Sequence, residues 1–150
     1  MTTGHTAFLA LLTGLALCAA GCGKGGDQQS DVAGDVTYDG QPVGAGAVSF
    51  EPSTPTASPG TFTIHDGKFA AAAGASLKPG KYLVRVTAPD LSKMKSGTTD
   101  DPHAQVQFVP LLPEAWNVQS KLTVELKPGR NVVHFRGKRG EAPQAEVGSR

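Results

Sequence analysis

The sequence predicts an all-β fold, and three of its features support that prediction. Apolar residues alternate with polar ones in several short segments, as in TFTIH at 61–65. Dipeptides suited to tight turns, such as Asp66-Gly67, separate these segments. Beyond residue 31, no stretch repeats its apolar residues with the period of an α-helix. Alternation with period 2 turns one face of a strand toward a core, so the pattern predicts short, half-buried strands.

The alternating segments are divided by turns and loops along the chain. The first segment ends at Asp39-Gly40, a dipeptide that accepts the positive φ angles of a two-residue turn. The proline-rich segment 51–60 and the polar segment 89–101 lack alternation and are expected to be loops. Strands are expected at 32–38, 48–50, 62–64, 69–71, 82–86, 122–126 and 133–135.

Two turns share the sequence Leu-Lys-Pro-Gly, at 77–80 and 126–129. Proline presets φ for the second position of a turn, and glycine supplies the left-handed conformation at the third. Both segments are therefore expected to be type II turns. This common turn chemistry explains the similarity without an internal duplication.

Length and composition indicate one globular domain. The chain has 150 residues, of which 39% are hydrophobic, and a net charge of +1. Its two cysteines, Cys18 and Cys22, lie in or beside the apolar N-terminal stretch, so the rest of the chain holds no pair for a disulfide. Phosphate binding needs a concentrated basic face, which a balanced charge does not provide. We therefore expect no nucleic-acid partner.

The N-terminus resembles a bacterial lipoprotein signal peptide. Residues 7–20 are uncharged and mostly apolar, but as a helix they would span only about 21 Å of a bilayer interior of about 30 Å. Small residues at 19–21 precede Cys22, as in a lipobox, where the cysteine is acylated and becomes the mature N-terminus. Cys22 is therefore the expected site of lipid attachment, palmitate included. An ordinary secretory peptide, with Cys22 incidental, is the alternative.

A polar, glycine-rich segment follows Cys22 and predicts a flexible tether. Several acyl chains hold a protein on a membrane almost permanently, so the N-terminus is expected to have a membrane as its partner. Gly23, rather than Asp, follows the cysteine, which resembles an outer-membrane address at the cell envelope. The expected organisation is a signal peptide at 1–21, a tether at 22–31, a folded domain at 32–136 and a disordered tail at 137–150.

Three motifs resemble those of carboxypeptidase regulatory-like domains. They are VAGDVTYDGQPVGAGAVSF at 32–50, HDGKF at 65–69 and LKPGKYLVRV at 77–86, in the order in which the family has them. The segment 111–135 is similar to the closing strands of short bacterial lipoproteins that carry this domain. The resemblance implies a seven-stranded, transthyretin-like Greek-key β-sandwich, which accompanies a peptidase in its named relatives without catalysing a reaction. A fold alone does not confer a function.

The sequence carries no recognisable catalytic motif. Both the G-x-S-x-G of serine hydrolases and the H-E-x-x-H of metal hydrolases are missing. Asp100, Asp101 and His103 form the best candidate for a metal site, but a solvated acidic loop explains the same residues. We therefore expect a protein that is not an enzyme and that holds neither a metal nor a cofactor.

The leading hypothesis is a membrane-anchored envelope lipoprotein with a structural or protein-binding β-sandwich, working through its edge strands and long loop. The alternative is a carbohydrate-binding module, in which Trp116 or Tyr82 stacks on a polysaccharide at the cell surface. A carrier of a small ligand, the third hypothesis, requires a cavity inside the sandwich. Because tryptophan more often fills a core, Trp116 is expected to plug one end of the sandwich with Leu111 and Leu112.

Four basic residues near the C-terminus form a candidate site for anionic lipid or polysaccharide, namely Arg130, Arg136, Lys138 and Arg139. Positive charges close to an anionic membrane contribute about 1 kcal/mol each to binding. Two glutamates follow in the same segment and dilute this charge, so a solvated tail is the expectation.

Overall fold

The computed structural model of the protein describes residue 1 and residues 29–94 and 108–149. Cys22, nearly all of the signal peptide and most of the tether lie outside these residues, as do Asp100, Asp101 and His103. None of the described helices is long and apolar enough to cross a membrane.

The described residues form an all-β protein, which confirms the all-β part of the predicted fold. All seven expected strands are present, and two further strands join them. The strands are β1 (Ser30–Tyr38), β2 (Gln41–Pro42), β3 (Ala45–Pro52), β4 (Gly60–His65), β5 (Lys68–Ala70), β6 (Gly80–Thr87), β7 (Thr123–Leu126), β8 (Gly129–Gly137) and β9 (Gln144–Ser149). One short 3-10 helix, Glu114–Trp116, lies between β6 and β7.

Hydrogen bonding joins these strands into one mixed sheet in the order β7-β6-β3-β4-β5-β1-β8-β9, with β2 paired to β1. The pairing is antiparallel except between β1 and β8, which run parallel over their whole length. The sheet curls until β7 and β9, at its two ends, come into contact, so it nearly closes on itself. The interior of this curled sheet is the core.

Two expected boundaries are wrong. Residues 137–150 are not a disordered tail throughout, because Gln144–Ser149 forms β9 and pairs antiparallel with β8. The strand is favoured because it covers the otherwise open edge of β8 and places Ala145 against the core. The folded part also begins before residue 32, because β1 starts at Ser30, whose side chain is fully buried.

An aromatic cluster fills the middle of the core. Phe50 lies at its centre, with ring centroids 5.5 Å from Phe62, 6.2 Å from Tyr82 and 6.4 Å from Phe135. Phe69 packs on Phe135 at 5.8 Å. Each ring comes from an inward position of a different strand, as the alternation predicts. The cluster therefore packs β3, β4 and β6 against β5 and β8 across the core.

The turns between strands follow the predicted chemistry. Asp66 and Gly67 have φ angles of 49° and 75°, both positive, as a type I′ hairpin turn requires. Of the two Leu-Lys-Pro-Gly turns, the second has Gly129 at φ 88°, as in a type II turn. Gly80 of the first has φ 147°, a more extended angle than that turn type has.

Both Leu-Lys-Pro-Gly turns lie at the same end of the sheet, which we call the LKPG end. Gly80 pairs with Leu126 there, and Ser30 pairs with both Gly129 and Leu77. The strand β1 therefore starts at the LKPG end and runs to the opposite end.

Trp116 closes that opposite end, as the sequence predicts. Its side chain is fully buried, with its ring 6.1 Å from that of Tyr38 in an edge-on arrangement. Leu112 is buried beside the core and Leu111 packs against it. Gly137 makes room for the indole, because a Cβ at that position would lie 2.6 Å from the Trp116 ring.

Candidate functional site

The aromatic residues expected to stack on a sugar are not available at the surface. Trp116 and Tyr82 are both completely buried. The hydroxyl of Tyr82 donates to the carbonyl oxygen of Lys78 at 2.8 Å, and burial raises the pKa of this phenol above its ordinary value of 10.0. Neither ring can therefore form a carbohydrate platform in this structure.

The four basic residues near the C-terminus do not form one cluster. Arg130 lies at the start of β8, at the LKPG end, whereas Arg136 lies near the other end of the same strand. Six residues of extended strand place the backbones of Arg130 and Arg136 about 20 Å apart. Arg136 approaches Glu146 at 3.4 Å and Arg139 approaches Asp39 at 3.8 Å, so acidic partners offset these charges.

A groove opens on the outer surface of the part of the chain that the structure describes. It lies where β4 and β5 separate, and its volume is about 730 Å³. It is lined by core rings slightly exposed where the strands separate, Phe62 and Phe69, and by outward-facing residues of β4, β5, β1 and β8, among them Thr61, Thr63, His65, Lys68, Ala70, Ala33, Asp35, Arg130 and Val132. We call it the β4 groove.

The groove exists because β5 is only three residues long. The strand β4 pairs with β3 from end to end, but with β5 only at His65 opposite Lys68. After β5 the chain stays beside β1, with the amide of Ala71 donating to the carbonyl oxygen of Val32 at 2.7 Å. The space beside the first half of β4 is therefore left without a neighbouring strand among the described residues.

This open edge of β4 presents backbone hydrogen-bonding groups. Alternate residues of a strand point their N–H and C=O groups to opposite sides. The amide of Asp66 donates to the carbonyl oxygen of Gly44 at 2.8 Å, so Phe62 and the other even-numbered residues of β4 face β3. Thr61 and Thr63 consequently turn their N–H and C=O groups toward the groove.

Small apolar side chains form the floor of the groove. Ala33 pairs with Ala70 on one side and with Val132 on the other, so the three lie in one row across β5, β1 and β8. Their short side chains leave the outer face of the sheet low at this point. A flat apolar surface beside an unpaired strand edge suits an extended polypeptide.

Charged residues stand at both ends of this floor. Lys68 lies near the hairpin turn and Arg130 lies toward the LKPG end, and neither takes part in an ion pair within the part of the chain that the structure describes. The carboxylate of Asp35 is paired with His134 on the adjacent strand. The groove therefore presents two cations that form no ion pair among the described residues, although Asp35 stands opposite Lys68 and Asp31 opposite Arg130 on β1.

The described residues show no group of three or more metal-ligating side chains. His65 lines the β4 groove, whereas His134 is engaged with Asp35. The groove brings together residues from four strands, of which only Arg130 belonged to a site predicted from the sequence. The one local signal for it is the short strand KFA at 68–70 followed by the small residues AAAGAS, which cannot continue a well-packed strand beside β4.

Comparisons with known proteins supply no analogue for this groove. No family model, no curated protein and no solved structure matches the chain.

Proposed function

We propose that this chain is a lipid-anchored, non-catalytic protein of the bacterial cell envelope that binds an extended segment of a partner protein in the β4 groove. The observation that carries the proposal is the open edge of β4. Thr61 and Thr63 together offer two N–H donors and two C=O acceptors to an added strand. Strand addition of this kind takes its affinity from main-chain hydrogen bonds and its specificity from side chains.

The charge of the groove specifies the partner further. Lys68 and Arg130 bracket the apolar floor and have no carboxylate of their own in the described ion pairs. An extended segment that places acidic side chains near these two cations, with small or apolar ones between them, complements the groove. A protein partner is favoured over a polysaccharide because the rings expected to hold a sugar are buried.

The sequence supports the membrane anchor. Small residues precede Cys22, and a polar segment connects it to the start of β1 at Ser30. Acylation of Cys22 would hold the folded part close to a membrane, and Gly23 favours the outer membrane. A groove near that surface would be positioned to bind proteins of the envelope.

The strand order is also consistent with a Greek-key sandwich of the carboxypeptidase regulatory-like kind, and we include that fold in the proposal. The sheet divides into two halves, β7-β6-β3-β4 and β5-β1-β8-β9, which strand pairing joins at His65 and Lys68. Inward-facing aromatic residues of both halves meet in the core. In this interpretation β2 and β9 are additions to the seven expected strands.

A panel of three fluorescent octapeptides tests the binding proposal. One alternates valine with glutamate, one alternates valine with lysine, and one has the residues of the first with four glycines in place of its valines. We expect the valine–glutamate peptide to bind with the highest affinity in an anisotropy titration, because it combines strand propensity with negative charge. Equal binding of the glutamate and lysine peptides, or no binding of either, would overturn the proposal.

The anchor has its own test. Cells that express the chain are fed radioactive palmitate, and a Cys22→Ala variant serves as the control. We expect label on the parent chain and none on the variant. An unlabelled parent chain would leave the groove proposal standing but would remove the lipid anchor from it.

A further inference from the structure

The folded part of the chain begins at a fixed point on the LKPG end. The amide of Ser30 donates to the carbonyl oxygen of Leu77 at 2.7 Å, and the amide of Leu77 donates back at 3.0 Å. The hydroxyl of Ser30 donates to the carbonyl oxygen of Lys127 at 2.8 Å. Ser30 therefore connects the two Leu-Lys-Pro-Gly turns to each other and to the segment that leads back to Cys22.

The lysines of these two turns are exposed at this end. Lys78 and Lys127 point away from the core, and neither takes part in an ion pair among the described residues. Arg130 follows directly after the second turn and is also exposed. Asp31 stands opposite Arg130 on β1 and offsets part of its charge.

Near the same end, exposed Lys81 of β6 stands opposite Glu125 of β7, and these two charges offset each other. Lys78 and Lys127 therefore make the main contribution to the positive charge of the LKPG end.

The opposite end of the sheet is different. Arg139 there lies 3.8 Å from Asp39, whose side chain also accepts the Arg139 amide at 2.7 Å. Lys138 directly follows β8 at that end, in a turn where the Glu141 amide donates to its carbonyl oxygen. Lys121 precedes β7 on the side away from the Leu-Lys-Pro-Gly turns. The molecule thus has a cationic end and a more balanced end.

The distance to the proposed anchor is short. Seven residues separate Cys22 from Ser30, so even a fully extended chain holds them no more than about 28 Å apart. The first folded residue is therefore always close to the membrane that Cys22 would occupy. In physiological salt, electrostatic interactions are screened beyond about 8 Å. Charges at the LKPG end would therefore interact with an anionic surface only when they lie close to it.

We propose that the LKPG end is a docking surface for anionic lipid headgroups, with Lys78 and Lys127 as its principal contacts. This inference rests on the proposed lipid anchor for its setting in the cell, and it goes beyond the proposed function by fixing the orientation of the protein. Docking turns the LKPG end toward the membrane and the Trp116 end away from it.

Chemical labelling of lysines tests the orientation on the full chain. The protein is added in low salt to an excess of vesicles of phosphatidylcholine alone, or of phosphatidylcholine and phosphatidylglycerol in equal parts. Lysines are then acetylated with an amine-reactive ester and quantified by mass spectrometry. On the anionic vesicles we expect labelling of Lys78 and Lys127 to fall about five-fold relative to Lys121 and Lys138, with no such fall on the neutral vesicles.

Two matched double variants provide the second measurement. Lys78→Gln with Lys127→Gln is expected to reduce the preference for anionic over neutral vesicles about 25-fold, or about five-fold for each charge. Lys121→Gln with Lys138→Gln removes the same charge from the opposite end and is expected to change this preference less than about two-fold. All four side chains are exposed, so the fold is retained in both variants.

The outcomes separate the docking surface from the anchor. Equal labelling of the four lysines on both kinds of vesicle, or equal effects of the two double variants, would overturn the docking proposal. A chain that fails to float with neutral vesicles carries no lipid anchor, which refutes that part of the proposed function. The lysine ratio on anionic vesicles still decides the docking proposal in that case, because it does not depend on acylation.

Discussion

The substitution Thr63→Pro gives the most direct test of the open β4 edge. Proline has no N–H group, and its ring occupies the space where the amide hydrogen was. Thr63 faces the groove rather than β3, so the substitution removes a donor that the sheet itself does not use. Proline is tolerated on the free side of an edge strand for this reason.

The expected loss of binding follows from the groups removed. One main-chain hydrogen bond contributes about 1 kcal/mol net, which is about a five-fold change in affinity. The proline ring also prevents the close approach of an added strand, so we expect the valine–glutamate peptide to bind at least about ten-fold more weakly. The free energy of unfolding should change by no more than about 1 kcal/mol, because the pairing with β3 remains.

A matched substitution on another edge provides the control. The amide of Val84 donates to the carbonyl oxygen of Leu122 at 2.9 Å, so the next residue, Thr123, turns its amide away from β6. Thr123→Pro therefore introduces the same residue at an equivalent position of β7, far from the groove. We expect it to leave peptide affinity unchanged, and Thr63→Ala, which keeps the amide, should also bind normally.

Anisotropy titration measures the affinity, and urea denaturation followed by circular dichroism measures the stability. If Thr63→Pro binds the peptide as tightly as the parent while folding normally, the open edge of β4 is not the binding surface. If Thr123→Pro weakens binding as much as Thr63→Pro does, the effect belongs to proline and not to the groove.

Three further predictions concern stability, each measured by urea denaturation. Gly137→Ala is expected to lose about 1 to 3 kcal/mol, because the new Cβ would lie 2.6 Å from the Trp116 ring. Asn131→Ala should lose about 2 kcal/mol, since its amide side chain holds the Lys127 turn through bonds of 2.8 and 2.9 Å. Tyr82→Phe should lose about 1 kcal/mol with its hydrogen bond. Because the pKa of Tyr82 is higher in the fold than in the unfolded chain, the parent should keep its full stability below pH 10 and lose some as the pH rises above it, a loss that the phenylalanine variant lacks. A variant with the urea midpoint of the parent would contradict the contact assigned to it.

Local patterns were sufficient to predict most strands and turns. Alternation in TFTIH specifies which side of β4 is buried, and Asp66-Gly67 specifies the turn that follows, because both depend on neighbouring residues alone. The burial of Trp116 was predicted for a similar reason, since a large apolar ring is rarely left exposed. These features need no knowledge of which strands become neighbours.

The features that were missed depend on pairing between distant segments. The strand β9 has a weak apolar pattern of its own, and it forms because β8 offers an open edge to it. The β4 groove likewise results from the order of strands, which places three-residue β5 between β4 and β1. The segment KFA and the small residues after it indicate that β5 is short, but they do not show that it will lie beside the longer strand β4.

The two Leu-Lys-Pro-Gly turns are locally similar, and in the fold they lie together at one end of the sheet. Each turn was predictable, but the buried Ser30 that links them comes from a third segment. The strand β4 runs from Gly60 at the LKPG end to His65 at the other end. A segment paired with it would therefore lie along the line between the two ends, with one of its own ends toward the proposed membrane surface. A separate hollow at the LKPG end, beside Gln29 and Lys78, shares Thr61 and Phe62 with the β4 groove. A partner segment bound in the groove would therefore have one end directed toward the membrane. This arrangement suits a partner that is itself attached to the envelope.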